Sequence, residues 1–224
     1  MDLTRRKFTQ YASASVLTMA SVLTPAFAAP SVPTAPAEEP DFNKVEQDVV
    51  TKMTEAGYAH FALLNKANAT FYLVQNGDLF LKTPAIYGVQ GKNGSITPNG
   101  IFSLKNVYQG EALPKLYFGY NKDVGVSMLV HGLVPGREQA LASNNIQGRQ
   151  LSNSCVNLSD NILPVVLGFA RQRAKKDPQR HAIPFVIIDQ HYSAVEFQKW
   201  VQGYKPQPYN SNKPTIIINS PNLY

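Results

Sequence analysis

Cys155 is the only cysteine in this 224-residue chain, and it follows the turn-forming run Leu151-Ser152-Asn153-Ser154. A free thiol titrates near pH ~8.5, so little of it is thiolate at neutrality and a nucleophilic cysteine needs a partner. His131 is the natural candidate, because it ends the apolar run Val126-Ser127-Met128-Leu129-Val130, whereas His181 and His191 sit among charged and polar residues and His60 merely precedes a core strand. A base delivered by a strand and a thiol presented at a turn are the parts of an acyl-transfer site that works through a thioester. Successive amides around Ser152, Ser154 and Cys155 could point at one oxygen, and a helix starting just beyond Ser159 would favour a thiolate before it. The plainer alternative is that Cys155 and His131 each pack in the core.

The elements around these residues are short. Asp41 to Gly57 reads as a helix capped by Asp41, with Phe42, Val45, Val49 and Met53 on one face and Gly57 as its stop. Strands are expected from Phe61, Thr70, Leu79, Ala85 and Ile101, with Asn76-Gly77 as a hairpin turn. Asn106 to Gly125 shows no clear period; it reads either as an aromatic flap over a cleft, with Tyr117 and Tyr120 offering stacking area, or as cover for the core. Ser159 or Asp160 is expected to cap a helix that runs to the basic stretch near Asp177. Pro184 to Asp189 reads as a strand, Ser193 to Gly203 as a helix, and Thr215 to Ile218 as a last short strand in a proline-rich tail. The fold class that follows is mainly β with flanking helices, built as an antiparallel sheet or barrel-like sandwich.

The order Thr97-Pro98-Asn99-Gly100-Ile101-Phe102, then His131-Gly132, then Ser152-Asn153-Ser154-Cys155-Val156-Asn157-Leu158 resembles the L,D-transpeptidase catalytic (YkuD-like) domain of bacterial cell-wall enzymes. The similarity runs roughly from Tyr58 to Asp189. It implies a YkuD-like β-sandwich or barrel that works without metal or cofactor. Cys155 falls on the family's nucleophile and His131 on its general base and acid. Gly132 continues the histidine turn, Ser152 braces the cysteine loop, and Asn157 stands where the family has Arg or Asn. Ser154 departs from the pattern by replacing a glycine, and the segment between the two motifs is long. A side chain there would crowd an oxyanion amide if the backbone needs a positive φ.

The implied substrates are peptidoglycan stem peptides, cut after the third residue with loss of D-Ala. The acyl group then passes to the amine of a second stem, giving a 3→3 crosslink. Water as acceptor would make the protein an L,D-carboxypeptidase; a free D-amino acid or a lysine on a cell-wall-anchored protein is a further acceptor. Ser154 motivates another reading, a non-catalytic peptidoglycan-binding module. Arg137 and Arg149, in the connection between the motifs, either grip a stem carboxylate or serve as exposed solubilising charges.

Thr4-Arg5-Arg6-Lys7-Phe8, a weakly apolar segment and the run ending at Ala28 read as an export signal over 1–28, either of twin-arginine type or an ordinary secretory signal containing paired arginines. Its cleavage leaves no stable membrane anchor and places the protein in the periplasm or cell envelope. A Pro/Ala-rich linker over 29–40, the helix over 41–57, a catalytic domain over 58–191 and a C-terminal extension over 192–224 complete the expected organisation. The net charge of +6 is modest, and the basic cluster from Arg171 to Arg180 reads as a solvated helix end, so no nucleic-acid partner is expected.

Overall fold

The computed structural model describes residues 42–89, 96–107, 115–122, 125–177, 179 and 181–209. The expected signal, linker and Asp41, and the strand expected at 215–218, lie outside the described residues.

Eight strands form one mixed sheet that curls into a half-barrel: β1 (His60–Asn65), β2 (Thr70–Gln75), β3 (Asp78–Pro84), β4 (Gly100–Val107), β5 (Lys115–Asn121), β6 (Val126–His131), β7 (Val156–Asn157) and β8 (Ile183–Ile188). Their spatial order is β3-β2-β1-β8-β4-β5-β6-β7. All neighbouring pairs are antiparallel except β1 with β8 and β6 with β7. Helices α1 (Lys44–Glu55), α2 (Glu138–Ala142), α3 (Leu163–Lys176) and α4 (Ala194–Gly203) flank it. The expectation of a mainly β fold with flanking helices holds.

Alternation along the central strands explains why they read as continuous apolar runs. Ala62 and Leu64 of β1 join a cluster that includes α3, while Phe61 and Leu63 join a second cluster with α1 and α4. Both faces are covered, so all six residues of β8 are buried. Residues of β5, β6 and β7 enter only the first cluster, and neither cluster includes the opposite face of these three strands. The segment expected as a C-terminal extension supplies α4, whose Phe197 and Val201 are buried in the second cluster.

Several local expectations are corrected. The α1 cap is Asn43: its Oδ1 accepts from Glu46 N and Glu46 Oε2 accepts from Asn43 N, both at 2.9 Å, a reciprocal box. Neither Ser159 nor Asp160 caps α3 by its side chain; Asp160 Oδ1 instead accepts from Leu133 N at 2.9 Å. Part of the supposed flap is strand β5. Leu116 and Phe118 face the core beside half-buried Tyr117, but a register shift between Tyr117 and Gly119 breaks the two-residue period that would have revealed the strand. Ala85 to Gly88 forms no strand, only a bridge from Ile86 to Asn157. The hairpin turn is as expected, with Asn76 at φ 57 and Gly77 at φ 87.

Glu46 ties α1 to the sheet. It is 1% exposed, and its Oε1 accepts from Asn65 Nδ2 at 2.8 Å, Asn68 Nδ2 at 2.7 Å and Tyr72 Oη at 2.6 Å. Truncation would strand buried donors without partners, so Glu46→Ala is expected to lower stability by roughly 3 kcal/mol or more. Urea unfolding followed by circular dichroism measures this, and a loss below about 1 kcal/mol would show that the network does not hold the helix.

Candidate active site

The site is built where β6 and β7 lie parallel, with Val130 opposite Val156 and His131 opposite Asn157. Met128 and Val130 point into the core, so Ser127, Leu129 and His131 point to the other face. The same alternation puts Cys155 and Asn157 on that face, two residues apart. Tyr117 pairs with Leu129 and Tyr120 with Ser127, so both tyrosines share it. The structure thus gathers Cys155, His131, Asn157, Tyr117 and Tyr120 on one face of the sheet, with Asn157 fully buried and the other four partly buried.

β7 is held from several sides. Asn157 N donates to Ile86 O at 2.8 Å, Ile86 N to Asn157 O at 3.0 Å, and Leu158 N to His131 O at 3.0 Å. Ser152 is 7% exposed, and its N–H donates to Tyr87 O at 3.1 Å, so it braces the loop through its backbone. Thr97 is fully buried. Its hydroxyl accepts from Gly88 N at 2.8 Å and lies 3.5 Å from Cys155 O, while Lys66 Nζ donates to Thr97 O at 2.8 Å. Lys66 is itself buried, which pulls its ammonium down to about 8, opposed by Asp189 at 3.8 Å.

The imidazole has a defined tautomer. His131 Nδ1 lies 2.8 Å from Gly132 O, which can only accept, so Nδ1 carries the proton and Nε2 the lone pair. Arg137 Nη1 donates to Asn157 Oδ1; a guanidinium has no acceptor, so this contact fixes the amide with Nδ2 turned to the ring. Nδ2 is 2.9 Å from Nε2 and 3.3 Å from Nδ1. A donor along the Nε2 lone pair would lie more than about 4 Å from Nδ1, so the amide rests against the ring and leaves that lone pair open.

Cys155 Sγ donates to Ser127 O at 3.6 Å rather than to His131. Burial raises the thiol above its ordinary value, opposed by a hydrogen bond from the Leu129 backbone and by the charges of Arg137 and Lys115. Burial lowers the imidazole, with Gly132 opposing and Lys115 and Arg137 reinforcing. The resting pair is therefore neutral thiol and neutral imidazole, not an ion pair. The helix expected to favour a thiolate does not do so, because α3 begins only at Leu163.

Ser154 has φ 69, the conformation that a glycine would take without strain. Its side chain is fully buried, and Asn121 Nδ2 donates to its Oγ at 3.0 Å. Arg149 is corrected: it is 8% exposed, with Nη2 donating to Ser143 O and Nη1 to Ala69 O at 3.5 Å, so it ties the connection to the fold and is not an exposed charge. Tyr117 Oη is buried without a hydrogen-bond partner among the described residues, and burial pushes this phenol up to about 12. Sequence reasoning missed Asn121, Leu129 and Lys66; only the pairing of β5 with β6 and the packing behind Thr97 reveal them. Among the described residues, no group of three or more His, Cys, Asp or Glu could hold a metal ion, and no helix is long and apolar enough to cross a membrane.

No family model and no curated protein matches the sequence. Solved structures that are similar include L,D-transpeptidases, the family that the motifs resemble. One from Mycobacterium smegmatis is 15% identical over 58% of this chain and 58% of that one, with TM-score 0.40. Another, in complex with imipenem, is 16% identical over 58% and 59%, with TM-score 0.38. The Enterococcus faecium catalytic domain is 15% identical over 58% and 98%, with TM-score 0.39. The chain spans less than two thirds of the first two. At such scores the likeness adds nothing to the chemistry, which rests on the geometry above.

A raised thiol has a measurable consequence. Alkylation of Cys155 by iodoacetamide is expected to climb with pH to a midpoint above that of an ordinary cysteine, because only the thiolate attacks. Arg137→Ala, which removes a neighbouring positive charge, is expected to move the midpoint higher still. A plateau already reached below pH 7 would contradict the neutral resting pair.

Proposed function

We propose that the protein is a cysteine-dependent L,D-transpeptidase acting on peptidoglycan stem peptides in the cell envelope, after export by the signal at 1–28. The observation that carries the reading is the placement of Cys155, just before β7, and His131, at the end of β6, on one face of these paired strands, with Nδ1–H of His131 committed to Gly132 O and Nε2 left as a base. The order of motifs around Thr97, His131 and Cys155 supports the substrate class.

In this mechanism the Cys155 proton passes to His131 Nε2 as sulfur attacks the carbonyl of the third stem residue, so the neutral pair becomes charged only during reaction. In the free protein the sulfur rests on Ser127; contacts of this kind tighten when substrate binds. Amides around Ser154 and Cys155 hold the oxyanion. The C–N bond to D-Ala breaks, and His131 returns the proton to the leaving amine. A second stem amine then attacks the thioester, loses its proton to His131, and releases the Cys155 thiolate, which is reprotonated. One amide is exchanged for another, so no external energy source is needed.

Arg137 is held beside the site by Asn157 and acts on the charge of both Cys155 and His131. We assign it to binding a stem carboxylate, with Tyr117 and Tyr120 lining the same face. Water as acceptor is the second reading, because the thioester is open to attack by water as well as by an amine; a lysine on an anchored protein is a further amine that the chemistry admits.

Incubation of the protein with a disaccharide-tetrapeptide, followed by separation of muropeptides, tests this. Crosslinked dimers joined 3→3 are expected, with Cys155→Ala inactive and His131→Gln slowed by about 10²–10⁴-fold. Trimmed tripeptide alone would establish the carboxypeptidase, and crosslinking by Cys155→Ala would remove Cys155 from the mechanism.

A further inference from the structure

We propose that Asn121 is a positioning residue for the nucleophile, holding Ser154 in a left-handed conformation that serine alone would populate poorly; this deepens the transpeptidase reading and rests on it for its meaning in catalysis. Three non-glycine residues have positive φ among the described residues, Ala69, Asn76 and Ser154. Asn76 is in a hairpin turn, where asparagine tolerates this region. Ser154 has no such tolerance: in the left-handed region Cβ crowds the following carbonyl, a disadvantage of roughly tenfold or more against glycine.

The side chain that creates the strain also carries the means of offsetting it. Ser154 Oγ is buried and receives the Asn121 amide at 3.0 Å, a bond that a glycine could not accept. Asn121 ends β5 opposite Val126, at the start of β6. The same pair of strands supplies Ser127 O and the Leu129 amide, which contact the Cys155 sulfur. One hairpin therefore holds both the turn before the cysteine and the thiol itself. Release of Ser154 toward negative φ would swing the Cys155 amide and sulfur away from these partners, and the loss of the Leu129 donor would raise the thiol further.

The test is a series at position 154, read in the full chain by the rate of Cys155 alkylation with iodoacetamide at pH 8 and by its pH midpoint. Alkylation needs no peptidoglycan chemistry, so its outcome is separate from that of the muropeptide assay. Ser154→Ala keeps the strained Cβ and removes the acceptor, and is expected to slow alkylation about fivefold, the weight of one neutral hydrogen bond. Ser154→Gly removes the strain with the bond and is expected to react several-fold faster than Ser154→Ala. Asn121→Ala should slow the serine protein about as much as Ser154→Ala does, with an upward midpoint, yet have no effect in the Ser154→Gly background. If one truncation fails to fold, the other makes the same comparison with Ser154→Gly. A steady decline from Ser to Ala to Gly, or an equal effect of Asn121→Ala in both backgrounds, would overturn the proposal.

Discussion

Two residues of parallel pairing, Val130 with Val156 and His131 with Asn157, hold the site together. Parallel neighbours cannot be joined by a tight turn, so the chain must leave β6, travel through the connection after Gly132 and return in register. Closing such a loop costs conformational entropy, and so short a strand cannot offset it alone. The return is secured elsewhere. Ile86 bridges the other edge of β7, Tyr87 bonds the loop on both sides of Gln150, and Arg149 is buried against two backbone carbonyls. Loss of the register by one residue would turn Cys155 and Asn157 toward the core and Val156 away from it.

With position fixed, charge decides reactivity. Burial acts on Cys155 and His131 in opposite directions on the pH scale but to the same end, because in each case it disfavours the charged form. Arg137 and Lys115 divide the pair: they favour the thiolate and oppose the imidazolium. The site therefore rests uncharged in positive surroundings. Those surroundings suit a thiolate or an oxyanion formed during reaction better than they suit a standing ion pair, and they suit a substrate that brings its own carboxylate.

Much of this was legible in the chain. Apolar periodicity located α1, α4 and most strands, and the Asn76-Gly77 turn was readable because both residues tolerate positive φ. The histidine and cysteine were found because one ends an apolar run and the other is unique. The expected cap of α1 is Asp41, although Asn43 with Glu46 three residues later has the spacing of the reciprocal box that the structure shows. What else escaped was set by distant contacts. A bulge hid β5 by breaking its alternation. Arg149 looked like a surface charge because nothing local announces that Ser143 and Ala69 will offer it carbonyls. Ser154 was recognised as a position that asks for glycine, but its remedy lies on another strand, in Asn121.

The account stands on a thioester at Cys155. Intact-mass measurement during reaction with a tetrapeptide stem, followed by peptide mapping, observes it directly. The predicted result is an adduct on the peptide containing Cys155, equal in mass to the donor less D-Ala and absent from Cys155→Ala. No adduct and no turnover at any pH, or the same adduct on the variant, would contradict it.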